Sequence, residues 1–312
     1  MALVTKQLGR LLPTGRFANK NKNSWYSWVY DKKNESVYKG NIENIAEEKD
    51  FYTLDRTINK LAWEEYYANN IEPLINPYIG KLVNRCLSAI INDRATVINH
   101  TEKVHLSLIM SAQLSRGPAA REHIQQFARE FSDEALKELE ELFGSNNTEV
   151  YQKIAGLFQY DNPFLKVAMA EAITDGESVS KIARRIADRV WIIYRISGDM
   201  EFITSDNPVM LLDLKSNNSD PFVHGLNSIG TVVHFPIASK LMIAAYPKEL
   251  FFGTLSDYDG KLVILKACDN EAFINNTNMK QLSQCHRQVI AQSEETINKV
   301  VKELNGEKTG RS

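Results

Sequence analysis

Residues 24–31, Ser-Trp-Tyr-Ser-Trp-Val-Tyr-Asp, are dense in aromatic residues of high strand propensity. Lys32-Lys33-Asn34-Glu35 then supplies turn chemistry before the short run Ser36-Val37-Tyr38, so the pattern predicts a β-hairpin. From Thr57 the apolar spacing turns helical and stays so through Ala187, with breaks at Pro73, Pro77, Gly117-Pro118, Gly144 to Asn147 and Asn162-Pro163. Residues 101–116 are apolar or small on more than one face, which predicts a central helix covered on most sides. Residues 132–142 open on a capping candidate, carry many charges and end at Phe143-Gly144, as an exposed surface helix does.

After Trp191 the pattern turns β-like. Four runs read as strands of a mostly antiparallel sheet: 191–196, 201–204, 231–235 and 240–245. Lys215 to Asn227 is polar enough for a mobile loop of the length that serves as a functional lid or is simply disordered, and 276–304 returns to helical spacing before a charged tail. The expected fold is α+β: an N-terminal β-hairpin, a helical middle, a mostly antiparallel sheet in the C-terminal third, and a closing C-terminal helix. We read 1–312 as a single domain with two packed parts. The helical part spans 57–190, the β-rich part 20–40 plus 191–275, and the closing helix 276–304.

Composition narrows the class. Hydrophobic residues make up 43% and charged residues 24% of 312 residues, as in folded globular chains. The formal charge of −2 gives no global excess of Lys and Arg, so net charge does not point to nucleic acid, yet a local patch leaves that partner open, as it leaves open self-association into a homo-oligomer. Cys86, Cys268 and Cys285 are odd in number and lack zinc-site spacing, which fits a reducing cytoplasm. No signal-peptide core and no run of about 18 apolar residues is present, so neither export by that route nor a membrane partner is expected. The six histidines form no His-Glu-x-x-His pattern, and no phosphate-cradling glycine loop occurs.

What remains is a set of polar residues where apolar ones are expected. Ile58, Leu61, Glu65, Ala68 and Glu72 share a helical stripe, so Glu65 is either a paired or pKa-shifted buried carboxylate or lies with Glu64 at the stripe's wet edge. On the central helix Leu106, Ile109, Gln113 and Arg116 share one phase. The Gln113 amide and the Arg116 guanidinium can grip one object: a substrate phosphate or carboxylate, or an interior acid such as Glu65 or Asp206. Ser205-Asp206-Asn207-Pro208 is strong turn chemistry at a strand end, and the same place suits a general base or metal ligand at Asp206 with Ser205 and Asn207 as substrate contacts. His234 reads as a satisfied sheet histidine, Cys285-His286 as part of a helix, and Arg184, Arg185 and Arg189 as a solvated helical stripe.

Taken in order, these features resemble the domain of unknown function 4238 family, a bacterial and phage-associated group. The resemblance rests on Arg16-Phe17-Ala18, Glu48-Lys49-Asp50-Phe51-Tyr52, the helix bearing Glu65, Gln113-x-x-Arg116-Gly117-Pro118, Phe202 through Pro208, Phe235-Pro236-Ile237 and Asn275-x-x-Asn278, across residues 16 to 295. Such proteins usually open with His-x-x-Pro-x-x-Tyr-Leu-x-x-Phe, whereas Lys6 to Phe17 contains no histidine here. The resemblance implies that Glu65, Gln113, Arg116 and Asp206 meet in one place.

Two functions follow as expectations. In the first the chain is a hydrolase, a nuclease or other phosphoesterase of bacterial defence or toxicity. Glu65 and Asp206 act as base or hold a divalent metal, and Gln113 and Arg116 neutralise a phosphate. In the second it is a non-catalytic sensor or interaction module in which the same residues form an interior clamp and recognition falls to the loop 215–228.

Overall fold

The computed structural model describes residues 16–21, 24–45, 69–116, 176–214, 226, 228 and 230–309, with helical positions 126, 130, 133, 134, 137, 138, 140, 141, 153 and 156. The N-terminal strands are β1 (Asn19–Asn21), β2 (Ser24–Asp31) and β3 (Ser36–Asn41). β2 and β3 form the expected hairpin. Asp31 closes its turn by accepting the N–H groups of Lys33 and Asn34 at 2.9 and 3.2 Å.

Helices follow: α1 (Glu72–Ile75), a π-helical stretch Asn76–Gly80, α2 (Lys81–Leu87), α3 (His100–Arg116) and α4 (Gly176–Ala187). Pro77 does not break the chain as the spacing suggested. Helical backbone continues from α1 to α2, and the wider π turn takes in the proline ring that a regular α-turn would set against a carbonyl. α3 starts where it does because Asn99 and Glu102 cap each other. Asn99 Oδ1 accepts the Glu102 N–H at 2.9 Å, and Glu102 Oε2 accepts the Asn99 N–H at 3.0 Å. It is the covered central helix expected, with Leu106, Ile109 and Met110 buried toward the sheet and Ser107, Ser111 and Ala112 buried as well. Positions 133, 134, 137, 138, 140 and 141 are helical and exposed, in line with a surface helix there.

The second half supplies β4 (Val190–Ser197), β5 (Thr204–Ser205), β6 (Met210–Asp213), β7 (Thr231–Ala238), β8 (Leu241–Tyr246) and β9 (Lys261–Lys266). These are followed by α5 (Glu271–Gln284), β10 (Gln288–Ala291) and α6 (Glu294–Thr309). Two sheets result. In the larger, the order is β6-β7-β8-β4-β9, antiparallel except for the parallel β4/β9 pair. In the smaller, β10 lies between β2 and β5, β1 extends the same side of β2, and β3 pairs its other side. The fold is therefore α+β, with both ends of the chain sharing one sheet.

One face of the larger sheet packs on α1 through α4 through Trp191, Ile193, Val233, Phe235 and Ile243. The other face carries Val190, Ile192, Val232, Ala244 and Tyr246, covered by residues 250–258 and by α5. β7 is thus buried at every position, and Pro236 is tolerated in it because the register slips there. Gly260 has φ +74°, and a Cβ would lie 2.6 Å from the Ile98 carbonyl oxygen, so the turn into β9 requires glycine.

Three expectations need correction. The closing helix 276–304 is two helices, because β10 interrupts it to pair with β2 and β5. Of 201–204 only Thr204 is strand: the Phe202 N–H goes to the Ser239 carbonyl and the Ile203 N–H to the Asn278 side chain, so no neighbouring strand is engaged. Arg184 and Arg185 face water, but Arg189 is buried and donates to the carbonyls of Thr231 and Leu226.

Candidate functional site

Ser205 ends β5 in the smaller sheet and Met210 opens β6 in the larger, so Ser205 to Val209 is the strap between the sheets. Its polar side chains are all directed at the α5–β10 segment. Asp206 Oδ1 accepts the His286 N–H at 3.0 Å, and Oδ2 accepts those of Arg287 and Gln288 at 2.6 and 3.0 Å. The Asp206 N–H donates in turn to the Gln288 carbonyl at 3.1 Å. Burial pushes the Asp206 carboxyl above the usual aspartate range, and the N–H bonds from residues 288, 287 and 286 pull it back only in part.

Ser205 and Asn207 are fixed just as tightly. Ser205 Oγ accepts the Asn207 N–H at 3.0 Å and a hydrogen from Gln281 Nε2. Gln281 Nε2 also donates to the Asn207 carbonyl at 2.7 Å, and Gln284 Nε2 donates to the carbonyls of Asn207 and Val209 at 3.3 and 2.7 Å. One turn earlier on α5, Asn278 Oδ1 accepts the Ile203 N–H at 3.0 Å and Nδ2 donates to the Glu201 carbonyl at 2.8 Å. Three amides at positions 278, 281 and 284 therefore stitch residues 201–209 to one helix. Sequence reasoning had Asn278 only as part of the family resemblance and missed Gln281 and Gln284; the signal was there, since amides three residues apart repeat on one helix side. Cys285 and His286, expected on a helix, lie beyond its end in the turn that Asp206 holds.

Gln113 lies on α3, where it extends the buried stripe of Leu106 and Ile109 as its spacing predicted; its Nε2 is buried and has no hydrogen-bond partner among the described residues. Lys103 near the start of α3 reaches the Arg189 carbonyl at 2.8 Å, and Ser111 reaches the Val179 carbonyl at 2.7 Å, so α3 and α4 run antiparallel. α4 folds back onto β4 through Asp188 and Arg189, with Trp191 Nε1 on the Ile186 carbonyl at 2.9 Å. No hydrogen bond links Gln113 Nε2 to the strap. Arg116 is described as the last helical position only, and Glu65, residues 1–15 and most of 215–228 lie outside the described residues.

His234 is not a satisfied sheet histidine. Its ring centroid lies 6.4 Å from that of Tyr246 and 6.2 Å from that of Phe273, its Nδ1 has no partner among the described residues, and burial pushes its pKa down to about 4. Among the described residues no group of three or more His, Cys, Asp or Glu side chains could hold a metal ion, and no helix is long and apolar enough to cross a membrane.

The family profile described as Protein of unknown function (DUF4238) matches residues 15–295, nearly the whole chain. The chain belongs to that family. No curated protein and no solved structure matches it. In this DUF4238 protein, the segments that carried the resemblance have distinct structural settings: Phe202 through Pro208 runs through β5 into the strap, Phe235-Pro236-Ile237 spans the slip in β7, and Asn278 begins the amide stitch.

Proposed function

We propose that this DUF4238 protein is a non-catalytic recognition or sensor module in which Ser205, Asp206 and Asn207 form the interior joint of its two sheets. The observation that carries this reading is the occupancy of Asp206. Three of a carboxylate's roughly four acceptor sites are taken by backbone N–H groups. A metal ion held by both carboxylate oxygens would have to displace an N–H group from Oδ2, at the cost of a buried unpaired donor. Asp206→Ala removes the acceptor for all three, and denaturant unfolding should register a loss of about 3 kcal/mol or more. Substitution of a residue that only serves chemistry leaves stability within about 1–2 kcal/mol, so a small loss at Asp206 would return it to the catalytic reading.

A second reading is favoured by the unpartnered, buried Nε2 of Gln113, a donor that a phosphate oxygen would use. On this reading the protein is a cytoplasmic hydrolase of a phosphate-containing substrate or nucleic acid, used in conflict between bacteria and phage. Gln113 and Arg116 hold the phosphate, and Glu65 serves as base, alone or with a divalent metal. The test is hydrolysis of single-stranded RNA and nucleoside triphosphates by the full chain with magnesium or manganese. Gln113→Leu and Arg116→Ala should each lower the rate at least about tenfold without shifting the melting temperature. Absence of turnover in the parent, or turnover in both variants equal to the parent's, rejects it.

A further inference from the structure

Arg16, Lys103 and Arg189 are buried cations, and two of the three are accounted for by the protein itself. Lys103 Nζ sits 2.8 Å from Asp259 Oδ1 and 2.8 Å from the Arg189 carbonyl. Arg189 spends its two terminal nitrogens on the carbonyls of Thr231 and Leu226. Arg16 is different. It is 8% exposed, and among the described residues it pairs with no carboxylate and its Nη1 has no hydrogen-bond partner.

Its position is nevertheless firmly built. The Arg16 carbonyl accepts the Ser239 N–H at 2.9 Å in the β7–β8 turn, and the Phe17 carbonyl accepts Ser27 Oγ at 2.8 Å. Phe17 and Ala18 pack with Val29, Ile42, Ile45 and Ile290, so the backbone on the C-terminal side of Arg16 cannot swing. At the far end of the side chain, Nη2 lies 3.3 Å from the point a Cβ would occupy on Gly80, the last residue of the π stretch. The guanidinium therefore rests against bare helical backbone, with its Nη1 buried and uncommitted. Burial alone pushes its pKa down to about 9, which is what a cation without a counter-charge shows.

A buried charge without a partner is strongly unfavourable unless something supplies the opposite charge, and arginine's planar fork is shaped for an oxyanion. We infer that Arg16 anchors a binding site for an oxyanion group of a ligand, a phosphate or a carboxylate, which accepts from the uncommitted Nη1. The site is separate from the Ser205–Asn207 strap and does not depend on whether Asp206 is a joint or a base; it says what chemistry a recognition module of this architecture takes.

The test uses the full chain, with thermal melting and calorimetric titration against inorganic phosphate and, separately, acetate, each beside sodium chloride at equal ionic strength. The parent should be stabilised saturably by one of the two anions beyond chloride, and which one answers identifies the ligand group. Arg16→Met should melt at or above the parent, because it removes an unneutralised charge, and should lose the anion effect. Arg16→Lys keeps the charge without the fork and should weaken binding about tenfold, which keeps the test valid if the Met variant fails to fold. Neither anion acting beyond chloride, or the same stabilisation in parent and variants, overturns the inference.

Discussion

His234 is flanked in β7 by Val233 and Phe235, and alternation alone marks it as an ordinary strand residue. Burial against Tyr246 and Phe273 keeps its imidazole neutral, with a pKa near 4 against about 6.5 in the unfolded chain. Between those values the unfolded chain binds the extra proton and the folded one does not. Stability is therefore complete above pH 6.5, falls as the pH drops towards 4, and levels off below it, for a loss of roughly 3 kcal/mol from this residue. Denaturant unfolding from pH 7 to 4 should show that decline in the parent and a correspondingly shallower one in His234→Phe; parallel profiles would refute the assignment. Asp206 teaches the complementary lesson. Its place before Asn207-Pro208 announced a turn, but whether it serves chemistry or architecture is set by the N–H groups that fill it.

Among the elements, α5 departs furthest from its sequence pattern. Ile274 and Leu282 are buried as a helix face requires, yet Asn278 and Gln281 are equally buried, because residues 201–209 lie against the helix with unpaired backbone groups. The amides take the part a neighbouring strand would play. Gln281→Leu conserves bulk while leaving Ser205 Oγ and the Asn207 carbonyl short of a donor, and should cost about 1–3 kcal/mol. Amide exchange at Asn207 and Val209 should quicken with it; unchanged exchange there would mean the stitch is dispensable. The hairpin β2–β3 and the start of α3 were readable locally, since their turn and caps come from residues within a few positions. The strap was not, because its partners come from another helix.

At the scale of the molecule, β2 near the start of the chain pairs with β10 near its end, and the strap passes from that sheet to the larger one. The two sheets should therefore lose protection together when the joint is cut. In Asp206→Ala, exchange should rise both at Val289 and Ile290 in β10 and at Leu211 and Leu212 in β6. A rise confined to β10 would make Asp206 a local cap and nothing more.

The N-terminal hairpin, the α+β class and the covered central helix follow from short-range rules: side-chain period, turn chemistry and capping. The roles of the buried polar residues do not, because a polar side chain's role depends on which groups meet its hydrogen-bonding atoms. For Asp206 those groups are 80 to 82 residues further along the chain, and Arg16 is conspicuous only because packing brings none to its Nη1. Local pattern marked Gln113 and Asp206 as polar residues at buried places; long-range packing buried Arg16, Arg189 and the α5 amides, and decided which of these groups the protein satisfies itself and which it leaves open.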